Sequence, residues 1–141
     1  MKMIVSILIA LGVSSGAIGQ TEATIQADSR LYEVFDSEMI ERMEQENPNL
    51  VLYYNVYLSE SFEIVELPYK QESIDLYPSL DFPSDEKHEN INVLRYDLDL
   101  KQDEFVMYRL GKTDYLLKFL SMTDFNEKYN EARKAHGLVQ P

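Results

Sequence analysis

Three short runs between Val93 and Leu120 alternate apolar with polar side chains, and two turn-forming stretches separate them. In the first run Leu94, Tyr96, Leu98 and Leu100 alternate with Val93, Arg95, Asp97 and Asp99. Glu104 to Leu110 and Tyr115 to Leu120 follow, after turns at Lys101 to Asp103 and Gly111 to Asp114. Strand side chains repeat every two residues, so the pairing register decides which face each one joins. Tight closure of both turns sets Leu98 against Val106, Tyr96 against Tyr108, Tyr108 against Leu117 and Val106 against Phe119. One register satisfies both hairpins, and the spacing predicts a three-stranded antiparallel meander. The opposite face carries Phe105, Met107, Leu116 and Leu120 beside Arg95, Arg109 and Lys118. That face is too apolar to be wholly wet, so a covering element is expected.

The last helix is the expected cover. Ser121 or Thr123 is its cap, and Phe125, Tyr129, Ala132 and His136 recur at helical offsets on one face. Gly137 sits where a helix stops. Upstream, Asp28 and Ser29 are cap types ahead of Leu31, Val34, Phe35 and Met39, while Ser37 precedes Met39, Ile40 and Met43. Either one helix runs from about Ser29 to Asn47, or two short ones meet near Asp36. Pro48 ends this segment by biasing Asn47 away from the helical region.

Leu50 to Leu58, rich in Tyr, Val and Leu, reads as a strand. Leu50, Leu52, Tyr54, Val56 and Leu58 form its core face, and Val51, Tyr53, Asn55 and Tyr57 the other. After a turn at Ser59 to Ser61, Phe62 to Leu67 returns to complete a hairpin, stopped by Pro68. Tyr69 to Asn90, with Pro78, Pro83 and charges from Asp85 to Glu89, reads as a long loop. Such loops are uncommon in compact domains and are often functional or disordered. The expected class is α+β on an antiparallel sheet: N-terminal helix, hairpin, long loop, meander, C-terminal helix.

The first nineteen residues are read apart from this domain. Lys2 supplies a positive start, Ile4 to Val13 an apolar core, and Ser14 to Gly19 a run of small residues with Ala17 and Gly19 at peptidase spacing. This is the order of parts in a secretory signal. A spanning helix needs about 20 apolar residues, roughly twice this run. Residues 1–19 are therefore expected to be a cleaved signal and residues 20–141 a single small acidic domain, periplasmic or extracellular. Cleavage after Ala17 competes with cleavage after Gly19. No stable membrane span is expected after cleavage. Gln20 to Asp28 lack hydrophobic periodicity and read as a flexible entry.

Removing residues 1–19 takes away one cation and no acid, which moves the net charge from −12 to −13. A chain this acidic repels phosphate backbones and anionic lipid, so nucleic acid is not an expected partner. The chain has no cysteine. Thiol chemistry, disulfides and iron–sulfur sites are thereby excluded, and a bacterial envelope suits such an exported chain better than an animal secretory pathway.

Gly111 and Gly137 are the only glycines after residue 19. Clustered glycine is what lets backbone cradle a phosphate, so nucleotide motifs are absent, as is the Gly-x-Ser-x-Gly nucleophile elbow. His88 lies among Asp85, Glu86 and Glu89, but metal ligands at a recognisable spacing are missing, and the run reads as a solvated loop tip. His136 reads as structural, at a helix end that favours a cation. Asp97, Asp99 and Asp103 fail the calcium-loop pattern, because Gln102 and Tyr108 stand where it needs Gly and an acid. Asp97 and Asp99 are instead expected to pair with Arg95, Arg109 or Lys118 across the sheet.

No catalytic, cofactor or metal residue is assigned on these grounds. The expected interaction surface is Tyr53, Asn55 and Tyr57 on one strand face, with Tyr69 and Tyr77 in the adjoining loop. Tyrosine offers an amphipathic plane suited to protein partners and sugars alike. The sequence thus points to a non-enzymatic interaction module whose partner is another envelope or secreted protein. Two alternatives stand beside it: a ligand-binding or weakly catalytic domain for an envelope sugar or peptide, with the loop as lid, and an inhibitor or immunity-type protein for a basic partner.

Overall fold

The computed structural model describes residues 24–67 and 76–139. Among these the class is α+β, with helices α1 (Ser37–Glu46), α2 (Pro48–Glu60) and α3 (Met122–Ala135). Strands β1 (Phe62–Glu66), β2 (Ser79–Leu80), β3 (Val106–Leu110) and β4 (Tyr115–Phe119) form one sheet in the order β1-β4-β3-β2. The residues group into two compact units, one made of the chain up to Asn55 and from Asn130 onward, the other of Val56–Tyr129.

In the first unit residues 24–28 of the expected flexible entry are docked, residues 20–23 lying outside the described residues. Ile25 is only 4% exposed, and burying a side chain of this size contributes roughly 2 kcal/mol. The Ala27 N–H donates to Glu44 Oε1 at 2.9 Å. Asp28 then caps a 3-10 turn over Ser29–Glu33 by accepting the Arg30 N–H, and Asp36 caps α1 by accepting the Met39 N–H at 2.8 Å. Of the two N-terminal arrangements expected, the pair meeting near Asp36 is the one observed. Leu31, Ile40, Met43, Val51 and Leu52 join Ile25 as this unit's buried apolar residues.

The expected strand at Leu50 to Leu58 is wrong: these residues are the body of α2. The reason lies at Asn47. It ends α1 through its N–H to the Met43 carbonyl at 2.8 Å, and its Oδ1 accepts the Leu50 N–H that opens α2. Pro48 occupies the first helical position, where its missing N–H costs nothing and its fixed φ suits the helix. The same proline that stops one helix starts the next. Along α2 the buried Val51, Leu52, Val56 and Leu58 span a wide arc instead of alternating. The Tyr- and Val-rich composition favours a strand only weakly, and capping together with packing overrides it.

In the second unit β1 therefore has no hairpin partner in Leu50 to Leu58. It pairs antiparallel with β4, Phe62 opposite Phe119 and Glu66 opposite Tyr115. The β3–β4 hairpin has the expected register, with Tyr108 opposite Leu117 and Val106 opposite Phe119. The third strand of the expected meander does not form. Residues 93–100 contain a 3-10 turn over Val93–Arg95 and otherwise irregular backbone. Their alternation is real, since Leu94, Tyr96, Leu98 and Leu100 are less exposed than Arg95, Asp97 and Asp99. From Leu94 to Leu100 every second residue is turned inward, although no described strand pairs with this stretch; Val93, of the other parity, is buried too.

What borders β3 instead is β2, a two-residue strand inside the expected loop. The Arg109 N–H donates to the Pro78 carbonyl and the Gly111 N–H to the Leu80 carbonyl. β2 runs parallel to β3, so the sheet is mixed and not antiparallel throughout. A parallel pair needs a crossover of a dozen residues or more, and residues 81–105 supply it. Buried Phe82, Ile91, Asn92 and Val93 lie along that crossover. Leu67, Tyr108, Leu110, Leu116, Leu117, Phe119 and Phe125 are further buried residues of this unit.

α3 forms as expected. The Ser121 hydroxyl accepts the Asp124 N–H at 3.1 Å and donates to its carboxylate at 2.9 Å, so Ser121 caps the helix N-terminus. Phe125 is buried, with Tyr129, Ala132 and His136 half-buried on the same face. Gly137 follows the helix at φ +68°. Among the described residues no helix is long and apolar enough to cross a membrane.

Candidate interaction surface

Helical geometry breaks up the expected tyrosine row. Tyr53 and Tyr57 are four residues apart on α2 and share a helix face, while Asn55, two residues on from Tyr53, turns about 200° away. Asn55 faces the entry segment: its Nδ2 donates to the Gln26 carbonyl at 2.9 Å and its Oδ1 accepts the Asp28 N–H at 2.8 Å. Tyr57 packs edge-on against the buried Phe125, with ring centroids 5.6 Å apart, and so serves the second unit's interior. Tyr77 is half-buried next to the exposed Leu76. Tyr69 lies outside the described residues, as do residues 69–75 of the expected lid loop and the whole of the expected signal.

Tyr53 remains at a surface, in company the sequence did not suggest. Its ring meets Tyr54 edge-on at 5.9 Å, and Tyr54 meets Phe35 at 5.3 Å. All three rings are half-buried. Phe35 sits at the junction between the 3-10 turn and α1, where the chain also leaves Tyr32 50% exposed, Val34 40% and Met39 44%. Glu33, Asp36, Glu38 and Glu41 are exposed on the same two elements, and Arg42 pairs with Glu38 at 3.5 Å. The first unit thus carries an aromatic cluster with apolar neighbours on an acidic stretch of chain. Phe35, Tyr54, Tyr32, Val34 and Met39 escaped the sequence reading, because the strand assignment put Tyr54 in a core and Phe35 on a buried helix face. The Asn47–Pro48 start signal for α2 was the missing clue.

The remaining polar clusters have local roles. His88 stacks on Tyr115 with centroids 4.0 Å apart and planes 27° apart, and its Nε2 lies 3.5 Å from Glu89 Oε1. Among the described residues no three His, Asp or Glu side chains converge as metal ligands. Asp97 and Asp99 do not line a strand, so the expected cross-strand pairing is replaced. Asp99 is held by its backbone N–H, which donates to the Tyr108 hydroxyl at 2.9 Å, while Lys118 lies 4.8 Å over the ring of Phe105. On that sheet face Leu116 is 2% exposed and Phe105 58%, so cover reaches its centre and not its margin.

The Asp28 carboxyl and the Tyr96 hydroxyl are both perturbed. The Asp28 carboxyl is held below its usual range, chiefly by side-chain hydrogen bonds from Arg30, with burial working the other way. Burial pushes the Tyr96 hydroxyl up, helped by the charge of Glu86. Neither accompanies a nucleophile or a convergent acid–base pair in the contacts described. The chain matches no protein-family model, no curated protein and no solved structure.

Proposed function

We propose that this chain is an exported, non-enzymatic protein-interaction module, an accessory protein of a bacterial cell envelope that binds another envelope or secreted protein. The observation that carries the reading is the Phe35–Tyr54–Tyr53 ring cluster, left half-exposed beside exposed Tyr32, Val34 and Met39. Aromatic residues and methionine are enriched at the centres of interfaces, and apolar residues gathered at one place on a surface mark partner sites more often than scattered ones do. The surrounding acids favour a partner that brings basic groups to the rim, where they would speed association and lend it salt dependence. The N-terminal signal pattern supports the envelope setting.

The reading is tested by replacing Tyr53, Tyr54 and Met39 singly with alanine and measuring affinity for the partner. Truncating a central aromatic anchor weakens binding by roughly 1–3 kcal/mol. Three variants that fold normally and bind like the parent would reject this surface.

A further inference from the structure

β1 pairs on one side with β4, and the ladder fixes which of its backbone groups face the other side. The Leu120 N–H donates to the Ser61 carbonyl and the Leu67 N–H to the Asp114 carbonyl, each at 2.8 Å. These rungs fix the phase of the β1–β4 ladder. In an antiparallel pair hydrogen-bonded positions alternate, so Glu63 and Val65 turn their backbone groups toward β4. The N–H and C=O groups of Phe62, Ile64 and Glu66 point the other way. β1 is the end strand of the sheet, and among the described residues no strand pairs with that side. At the other end β2 is only two residues long.

The side chains along β1 set what could pair there. Phe62, Ile64 and Val65 are half-buried, and Glu63 and Glu66 are exposed. Glu63 stands opposite Lys118, but Glu66 stands opposite Tyr115 and has no cation across the strand. Phe62, Ile64 and Glu66 lie on one face, Glu63 and Val65 on the other. A strand that fits beside them is apolar opposite Phe62, Ile64 and Val65, and basic opposite Glu63 and Glu66. A second copy of the chain fits poorly, because two such edges would bring four glutamates to one seam between molecules of net charge −12.

We infer that the β1 edge accepts an extended cationic segment of a partner protein as a fifth strand. Main-chain hydrogen bonds to Phe62, Ile64 and Glu66 supply the pairing, and Glu63 and Glu66 select Lys or Arg on alternate faces. This surface uses other residues than the aromatic cluster, so either can fail without the other.

The test uses the full chain and a synthetic peptide, acetyl-Thr-Lys-Val-Ile-Lys-Val-Thr-amide, whose residues match this pattern in antiparallel order. Amide hydrogen exchange is followed residue by residue. At peptide concentrations of about ten times Kd, exchange at Ile64 and Glu66 is expected to slow about tenfold, with Glu63 and Val65 unchanged. Glu66→Gln keeps the N–H and loses the charge; Glu66→Pro loses both, at a position where an outward N–H makes proline tolerable. Binding should weaken in Glu66→Gln and weaken further, by about tenfold or more, in Glu66→Pro. Binding without new protection at Ile64 and Glu66, equal affinity of the two variants, or no binding at all would overturn the inference. Protection at these amides in the free protein that grows with its concentration would also overturn it, by pointing to a second copy as the occupant.

Discussion

Asn55 grips the backbone of Asp28 from a different helix: its Oδ1 accepts the Asp28 N–H at 2.8 Å, while its Nδ2 donates to Gln26 two residues earlier. One side chain thus satisfies a donor and an acceptor of a segment that has no regular structure of its own. Each such hydrogen bond contributes about 1 kcal/mol net. Asn55→Ala should lower unfolding free energy by roughly 1–3 kcal/mol in urea titration and speed amide exchange at Asp28. Leucine at this position should cost at least as much, because it leaves the same backbone groups unpaired.

The neighbouring ion pair gives a pH dependence with a definite sign. Arg30 Nε and Nη2 donate to the two carboxylate oxygens of Asp28 at 3.1 and 2.9 Å. The folded carboxyl lies below its ordinary value of 3.8. A depressed pKa contributes stability that is fully present above the unfolded value and lost as pH falls through the folded one. Arg30→Gln should therefore destabilise the protein at pH 7 and cost progressively less as pH drops below 3.8. Unfolding of both proteins in urea at neutral and acidic pH measures the difference.

The two domain glycines differ in what surrounds them. Both have positive φ, +51° at Gly111 and +68° at Gly137. A Cβ at Gly111 would lie 2.6 Å from the Phe82 carbonyl oxygen, whereas nothing lies within 4 Å at Gly137. Gly137→Ala should cost only the left-handed conformation, about 1–2 kcal/mol. Gly111→Ala should cost clearly more, because its Cβ would collide with backbone that has to move, and moving it strains the Gly111 N–H bond to the Leu80 carbonyl. Thermal melts of the two variants make the comparison, and equal losses would contradict it.

Tyr108 ties the irregular crossover to the sheet through one hydroxyl, which accepts the Asp99 N–H at 2.9 Å. Tyr108→Phe keeps the ring and its edge-on contact with Phe119. It should lose about 1 kcal/mol and raise amide exchange at Asp99 while leaving the β3–β4 amides protected.

How far the sequence could be read depended on whether a local signal had one physical cause. The β3–β4 register and the start and stop of α3 were legible, since turn spacing, Ser121 and Gly137 act locally. Residues 93–100 misled because alternation reports which side chains point inward, and that needs no partner strand. α2 misled because it is apolar around much of its circumference, which hides the helical period, and its Tyr and Val suit strands equally. The decisive signal was a single pair, Asn47 as cap and Pro48 at the first helical position. β2 was invisible, being two residues whose strand character comes entirely from hydrogen bonds to β3. Of the expected row, Tyr53, Asn55 and Tyr57 lie on α2 and do not share one face, while Tyr69 falls outside the described residues. With Leu50 to Leu58 a helix, Asn55 turns to the entry segment and Tyr57 to Phe125, and Tyr53 instead meets Tyr54, which meets Phe35.

The aromatic surface of the first unit is tested most directly by photo-crosslinking in the producing cell. A photoreactive phenylalanine is placed in turn at Tyr32 and Met39, and at exposed Lys112 in the second unit as control. The account predicts one envelope or secreted protein joined at Tyr32 and Met39, not at Lys112, and lost when Tyr54→Ala is added. The same products from all three positions, or none from Tyr32 and Met39 with the protein present at normal level, would contradict it.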